Sequence, residues 1–249
     1  MKTFKQYLNE ESEDLDKMIE KIKTECSEFI SKTTPSDSLY RGMEEEDNFI
    51  SYHLIRTDRK PRNTPKAVHD VIDSYFEKRF NLKYRSSSMF CSQTLSSVRV
   101  YGKPYFVFPV NGYKICASNL VRDLWNIISS TDHLIFSLAY IHPFNKSVKI
   151  LNKDDESFYF KIEDKLKYKF NNDLTDYTIS KEDMNRFDKL NIEILDHLKY
   201  RESKILAEFD EDVELMVAAK GYYAIKANFA SSGDINKAYE IIEKIYSKD

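Results

Sequence analysis

The sequence predicts an α+β fold with a split, mostly antiparallel β core and flanking helices. Strand-like segments crowd residues 84–117, while segments with apolar residues at three- and four-residue steps stand at both ends of the chain. The strand-like segments follow one another without regular crossover helices, which favours local pairing over parallel βαβ units. At 249 residues and 41% hydrophobic content, the chain is long enough to bury a sizeable core.

The first third of the chain is predicted to contain two helices and one short strand. Apolar periodicity predicts a helix over 4–31, and the proline-containing stretch TTPSDS (33–38) ends it. The stretch SLYRGM is a short strand, and the polar residues 44–63 are an irregular loop. Thr64-Pro65 provides a hydroxyl N-cap and an N1 proline, so a second helix is expected from there to Phe80.

The middle of the chain is predicted to be rich in strands. The expected elements are a strand, a short helix and two more strands, at 84–92, 93–102, 104–110 and 113–117. Asn111-Gly112 is a strong hairpin dipeptide and is expected to pair the last two strands. Ser118 is expected to cap a helix through residue 128.

In the second half of the chain, some segments have a clear secondary-structure prediction and others do not. Residues 131–180 contain short apolar runs that suit either strands or a buried helix. The expected elements after them are a helix from Ser180, helical residues at 201–209, strands at 213–219 and 222–229 that close the sheet around Gly221, and a terminal helix at 234–248.

Composition excludes several classes of protein. A net charge of −3 provides no overall basic field for nucleic acid, and no apolar run is long enough for a membrane span. The three cysteines form no CxxC pair and the five histidines no HExxH motif, so no metal site is expected. GxGxxG and GxxxxGK[ST] phosphate loops are absent as well. A reducing, cytoplasmic setting is the simplest expectation.

Three short stretches in strand-like context are candidates for a site. They are Arg41 in LYRG, the serine run 86–88 in RSSSMF, and Asp212-Val213-Glu214 before a late strand. Taken singly, each has an ordinary explanation: an edge-strand arginine, loop polarity, and a solvated acidic turn. The basic stretch 56–66 is either a solvated loop or a set of phosphate contacts.

Taken together and in this order, the three stretches resemble the arginine–serine–glutamate signature of mono-ADP-ribosyltransferases. Asp212 stands where the family usually has Glu or Gln, and the serine match is loose. The neighbouring sequence, including YFVFPVNGYKI and ELMVAAKGYY, is similar to the sequences of phage-encoded members of this family. The likeness spans residues 38–227. It implies a catalytic domain over 35–230, preceded by a helical segment (1–34) and followed by a packed helix (231–249).

The resemblance also implies an activity, the transfer of ADP-ribose from NAD to a macromolecular acceptor. Glu214 is the expected catalytic carboxylate, with Asp212 beside it on the same strand face, and Arg41 is expected to bind the NAD pyrophosphate. Gly42 would let the backbone approach closely. NAD is thus a substrate, with no metal required.

The resemblance places two further groups at the cofactor. Ser86 and Ser88, on one face of a strand, would orient the glutamate and the nicotinamide ribose, with Ser87 pointing away. Phe90 would stack on a ring of NAD, or is simply a core aromatic.

Several alternatives stay open at the level of sequence. The acceptor is a protein, RNA or DNA in the host cytoplasm, and the protein is a toxin, a defence component or a phage factor, either made in the host cell or carried in the virion. One rival is a non-enzymatic virion or host-interaction protein that retains the fold. Another stays within NAD chemistry, as a glycohydrolase or an RNA 2′-phosphotransferase-like enzyme, which relies on several Arg and His side chains that this sequence does not visibly group.

Overall fold

The computed structural model describes residues 4–60, 66–124, 192, 195–227 and 232–247. The chain divides into two compact units. Unit 1 consists of Met1–Arg59, Tyr84–Arg122 and Arg201–Asp249, and unit 2 of Lys60–Lys83 and Asp123–Tyr200. The predicted elements within 131–180 and most of the helix predicted from Ser180 lie outside the described residues. Both chain ends belong to unit 1, and the domain boundaries predicted at residues 34 and 230 stay a prediction.

Helices form at both ends of the chain, as predicted. In unit 1 they are α1 (Phe4–Glu25) and α2 (Ser27–Ile30) at the start, and a last helix, Ser232–Tyr246, at the end. In unit 2, α3 (Lys66–Phe80) confirms the helix predicted to end at Phe80. The N-terminal helix is interrupted at Cys26, whose buried thiol donates to the carbonyl oxygen of Phe108 at 3.4 Å. Burial raises the pKa of this thiol to about 12, so it stays protonated.

The described strands form two four-stranded sheets in which every pairing is antiparallel. Sheet A has the order β1-β4-β8-β2, with β1 Tyr40–Met43, β4 Lys103–Pro109, β8 Gly221–Lys226 and β2 Ile50–Leu54. Sheet B has the order β3-β7-β5-β6, with β3 Met89–Cys91, β7 Leu215–Ala218, β5 Lys114–Ala117 and β6 Arg201–Ser203. The α+β class and the antiparallel pairing are therefore confirmed.

The prediction of local strand pairing is wrong. β4 and β5 flank Asn111-Gly112 but belong to different sheets, and so do β7 and β8 around Gly221. The hydrogen bonds of the Asn111-Gly112 turn explain the separation of β4 and β5. The Asn111 side-chain oxygen accepts from the amide of Glu28 at 2.8 Å, and the Gly112 amide donates to the Glu28 carboxylate at 2.9 Å. Because these groups bind α2 instead of closing a hairpin, the chain crosses from sheet A to sheet B.

Three further segments differ from their predictions. The loop predicted over 44–63 contains β2, whose alternating exposed and half-buried residues give a weak strand signal. Residues 201–209 form β6 and a 3-10 turn at Leu206–Glu208, instead of a helix. Ser118 caps a turn, since its hydroxyl accepts from the amide of Leu120 at 3.0 Å. The helix predicted over 119–128 is wrong for residues 119–123, which form turn, bend and irregular backbone, and residues 125–128 lie outside the described residues.

The two faces of sheet A have different neighbours. On one face, Phe106 packs edge-on against Tyr239 and Phe108 lies against Tyr246, and both tyrosines belong to the last helix. Alternation along the strands places Arg41 and Tyr222 on the opposite face. That face approaches sheet B, because Nη1 of Arg41 donates to the carbonyl oxygen of Phe90 in β3 at 3.3 Å. The layer between the sheets therefore contains the candidate arginine.

Glu28 joins α2 to two other parts of unit 1, and this contact predicts an acid-sensitive component of stability. Its carboxylate accepts from Lys204 Nζ at 2.5 Å and from the Gly112 amide. These bonds, with Lys204 contributing most, lower the pKa of Glu28 to about 2. A carboxyl group with a lowered folded-state pKa stabilises the fold above its unfolded pKa, about 4.3, and loses that contribution as pH falls through the folded value.

We expect the difference in unfolding free energy between wild type and Glu28→Gln to be fully present above about pH 5 and to disappear as pH falls toward 2. Denaturant titrations at a series of pH values measure it. Lys204→Met is the partner variant and should remove most of the acid-sensitive difference. A difference that stays constant from pH 6 to about pH 2 would contradict this assignment.

Candidate functional site

Arg41 lies on β1 with its guanidinium inside the layer between the sheets. Its Nη1 donates to the carbonyl oxygen of Phe90 at 3.3 Å, and its Cζ stands 5.7 Å from the centre of the Tyr222 ring. Its Nε is buried and, within the described part of the chain, has no hydrogen-bond partner. A buried guanidinium donor without an acceptor is costly, and β1, which carries it, is an edge strand of sheet A.

Glu214 stands immediately before β7. Its amide donates to the Val121 carbonyl oxygen at 3.3 Å. Its Oε1 lies 3.3 Å from Nη1 of Arg85, and the two side chains are only 17% and 9% exposed. The carboxylate is thus held in a largely desolvated ion pair, where Coulomb attraction is stronger than at the surface.

Ser92 joins the two sheets next to both candidate residues. Its backbone exchanges two hydrogen bonds with Tyr40, the residue before Arg41, at 2.8 and 3.0 Å. In the β3–β7 ladder, Cys91 lies opposite Leu215, so continuing the register by one position places Ser92 opposite Glu214. The strand that contains Arg41 and the strand that follows Glu214 therefore meet at one residue of the chain.

Phe90 provides a second link between the same two residues. Its carbonyl oxygen accepts from Arg41, while its half-buried ring lies under the guanidinium groups of Arg59 at 4.0 Å and Arg85 at 4.9 Å. Arg85 in turn holds Glu214. We call these five residues the Phe90 cluster. An unbroken series of contacts thus connects Arg41 with Glu214, which the sequence keeps far apart.

The serine run does not occupy the predicted strand. Ser86 and Ser87 belong to a short helix, α4 (Tyr84–Ser87), and only Met89–Cys91 is extended. Ser88 is buried and its hydroxyl donates to the Tyr84 carbonyl oxygen at 2.5 Å. The expectation that Ser86 and Ser88 share a strand face is therefore wrong. The Ser88 hydroxyl instead bonds locally to the backbone, a known competitor of strand pairing for serine.

Asp212 is also placed differently from its prediction. It lies in a turn that the Val213 amide closes onto the Asp210 carbonyl oxygen at 3.4 Å, so strand alternation does not put it on the face of Glu214. Its Oδ2 lies 2.7 Å from Nη2 of Arg122, in a contact with both side chains substantially exposed. Whether Asp212 takes part in chemistry stays a prediction.

Gly42 has a packing role that the sequence did not indicate. A methyl group at its Cα would stand 2.2 Å from the Val98 carbonyl oxygen and 3.0 Å from Cβ of Tyr101. Val98 belongs to the short helix α5 (Leu95–Arg99). The close approach that requires glycine here is therefore to α5, and this contact explains the residue without a ligand.

We expect Gly42→Ala to lower the free energy of unfolding by about 1–3 kcal/mol, because the clash is with backbone that cannot rotate away. Denaturant unfolding measures the loss. Gly112→Ala is the comparison: no atom lies within 4 Å of its added methyl group, and only the φ of +84° opposes it. Faster amide exchange in α5 should accompany the first variant alone. Unchanged stability of Gly42→Ala would refute the packing role.

Burial is the main influence on the pKa values of the titratable groups next to Arg41. Burial raises the pKa of the Cys91 thiol to about 12 and also raises that of Tyr222, while the charge of Arg41 opposes both rises. His53 stacks on Tyr222 with ring centres 5.0 Å apart, and its Nε2 lies 3.3 Å from a Glu46 carboxylate oxygen. Arg41 and His53 thus share one tyrosine, and Cys91 and Tyr222 remain protonated near neutral pH.

Sequence reasoning missed three members of the site. Ser92 is the polar residue that ends an apolar strand, Arg85 precedes the serine run, and Arg59 lies in the basic stretch interpreted as either solvated loop or phosphate contact. The available signal was weak: a single basic residue, Arg85, directly precedes the serine run. The sequence named Arg41, Phe90 and Glu214 as candidates, and in the structure they are linked in series, by the Arg41 hydrogen bond to the Phe90 carbonyl oxygen and by Arg85 between the Phe90 ring and Glu214.

Within the described residues, no group of three or more His, Cys, Asp or Glu side chains is arranged to hold a metal ion. Across the same residues, no helix has both the length and the apolar character needed to span a bilayer. The chain matches no protein-family model, no curated protein and no solved structure.

Proposed function

We propose that this protein is an NAD-dependent mono-ADP-ribosyltransferase that modifies a macromolecular acceptor. The observation that supports it most is the convergence of Arg41 and Glu214 through the Phe90 cluster. We infer further that the two antiparallel sheets are the split core of the ADP-ribosyltransferase fold. The acceptor is a host protein or nucleic acid, and the protein is phage- or toxin-related.

The proposed chemistry assigns Glu214 to the charge that develops on the ribose. Breaking the bond between nicotinamide and ribose passes through an oxocarbenium-like state, as in glycoside hydrolysis. Nicotinamide leaves as a neutral molecule, so positive charge builds up on the sugar. A desolvated carboxylate beside the sugar interacts more strongly with that state than with NAD, and only such a difference accelerates the step.

Arg41 is assigned to the pyrophosphate of NAD. A guanidinium presents planar, forked donors that match phosphate oxygens two at a time. Arg59 stacks over the ring of Phe90, the residue whose carbonyl oxygen accepts from Arg41, and is assigned as the second positive charge. Two positive charges suit a dianionic pyrophosphate.

The test combines binding with product analysis. Calorimetry with NAD and chromatographic detection of released nicotinamide establish binding and cleavage. Incubation with NAD that carries a biotin on its adenine, together with host lysate, then assigns the acceptor by whether protease or nuclease removes the label. Free ADP-ribose without any labelled macromolecule would make the protein a glycohydrolase. A folded protein that shows no binding of NAD would favour the non-enzymatic host-interaction role.

One observation favours a second candidate, an RNA 2′-phosphotransferase-like reaction that also consumes NAD. Such enzymes rely on grouped Arg and His side chains, and here Arg41, Arg59 and Arg85 surround Phe90 while His53 stacks beside Arg41 on Tyr222. An RNA oligonucleotide with an internal 2′-phosphate separates the candidates. NAD-dependent loss of that phosphate supports the second reaction, whereas attachment of ADP-ribose to an acceptor supports the first.

A further inference from the structure

We infer that Arg85 is a positioning residue for Glu214, acting through the ion pair and through its contact with Phe90. The inference rests on the proposed function, since it assigns Arg85 a part in the cleavage of NAD. Arg85 need not touch the substrate. It sets where the carboxylate of Glu214 points relative to Arg41.

The backbone that carries Arg85 is held from several directions. Tyr84 donates from its hydroxyl to the Glu202 carboxylate of β6 at 2.6 Å, and Ser88 returns a hydrogen bond to the Tyr84 carbonyl oxygen. The Arg59 amide donates to the Ser86 carbonyl oxygen at 3.1 Å. Because both ends of α4 are tied to other elements, the Cα of Arg85 has little freedom to move.

The side chain of Arg85 is equally restricted. It is 9% exposed, and its Cζ stands 4.9 Å from the centre of the Phe90 ring. Packing against an aromatic face orients a planar guanidinium, which a lysine ammonium cannot reproduce. The same Phe90 accepts from Arg41 through its carbonyl oxygen. The guanidinium that holds Glu214 and the guanidinium assigned to pyrophosphate therefore both contact Phe90.

This arrangement matters for rate more than for affinity. A glutamate side chain has several rotamers, and Nη1 of Arg85 fixes Oε1 at 3.3 Å and so selects one orientation of the carboxylate. A nearby cation weakens the field that the carboxylate exerts on a developing positive charge, which costs some transition-state stabilisation. The advantage is geometric, since misplacing a reacting group by about 1 Å costs on the order of 10² in rate.

The test compares Arg85→Lys and Arg85→Gln with wild type in NAD cleavage without an acceptor. We expect kcat to fall about 100-fold in Arg85→Gln and about 10-fold in Arg85→Lys, with KM for NAD changed less than about 3-fold. Partial rescue by lysine and a selective loss of kcat indicate positioning. A loss of fold would instead lower kcat in proportion to the fraction of unfolded protein, which a thermal melt measures.

A double variant makes the test sharper. If Arg85 acts through Glu214, then adding Arg85→Gln to Glu214→Gln should cost less than about 3-fold beyond Glu214→Gln alone, because residues that act as a unit are not additive. A purely structural contribution would multiply the two losses. If Arg85→Gln does not fold, the same comparison is made with Arg85→Lys, alone and combined with Glu214→Gln.

Arg201 of β6 offers a control with the same kinds of contact at a more exposed position. It pairs with Glu208 at 3.3 Å and stacks over Phe209 at 5.0 Å, which reproduces the contacts of Arg85 away from the Phe90 cluster. Arg201→Gln should leave kcat unchanged. An active wild type whose Arg85 variants keep full kcat, or whose losses multiply with Glu214→Gln, overturns this inference alone. A wild type that neither binds nor cleaves NAD overturns the proposed function, and the inference with it.

Discussion

Glu214→Gln is expected to reduce the rate of nicotinamide release from NAD by about 10²–10³-fold or more. The amide keeps the size and the hydrogen-bond acceptor of the carboxylate but removes its charge, so it no longer stabilises the positive charge that develops on the ribose. KM for NAD should change little, because the lost interaction belongs to the transition state. Single-turnover assays of nicotinamide release measure the effect on the bond-breaking step.

The substitution also leaves the largely buried Arg85 guanidinium beside a neutral amide. Loss of one partner from a buried pair destabilises proteins by about 3–5 kcal/mol, so rates must be compared well below the melting temperature of the variant. Glu211→Gln is the control, since it removes an exposed carboxylate from the same loop. Wild-type nicotinamide release by a folded Glu214→Gln variant would count decisively against the proposed catalytic role.

Arg41→Lys is expected to weaken NAD binding by about 10- to 100-fold, since one or two charge-assisted hydrogen bonds of about 1.5–3 kcal/mol each are lost or bent. Lysine keeps the positive charge but lacks the fork, and it cannot reach the Phe90 carbonyl oxygen in the same geometry. Calorimetric titration with NAD and with ADP-ribose measures the loss. Both ligands should be affected alike because they share the pyrophosphate.

Arg56→Lys makes the same chemical change on an exposed side chain of the loop after β2 and should bind NAD as wild type does. The pattern across variants is the informative result: Arg41 governs affinity, whereas Glu214 governs the rate of bond cleavage. An Arg41→Lys variant with unchanged affinity for both ligands would remove the guanidinium from the proposed pyrophosphate site.

Periodicity alone was sufficient for the elements whose signal is local. The helices at the two ends of the chain and α3 follow from apolar residues at helical spacing, and β1, β4 and β8 follow from short strand-like runs. The same reasoning failed at α4, where YRSSSMFCS contains a helical turn and a three-residue strand. Serine hydroxyls that bond to their own backbone leave no periodic trace.

Pairing of strands depended on contacts that the sequence does not encode locally. Asn111-Gly112 has the composition of a hairpin, yet its polar groups bind Glu28, and the flanking strands separate into different sheets. The turn residues determine that the chain reverses there. Which strand it then meets is decided by the helix that captures the turn.

The candidate site divides in the same way. Sequence by itself proposed Arg41 and Glu214 from the order of three short stretches, because a charged residue in strand-like context stands out locally, and it offered Phe90 as either a stacking ring or a core aromatic. Only the tertiary structure decided that these residues meet, and that Ser92, Arg85 and Arg59 join them in place of the serine run. Ion pairs and aromatic contacts between distant segments depend on how the two sheets pack, and packing is a property of the whole unit rather than of any stretch within it.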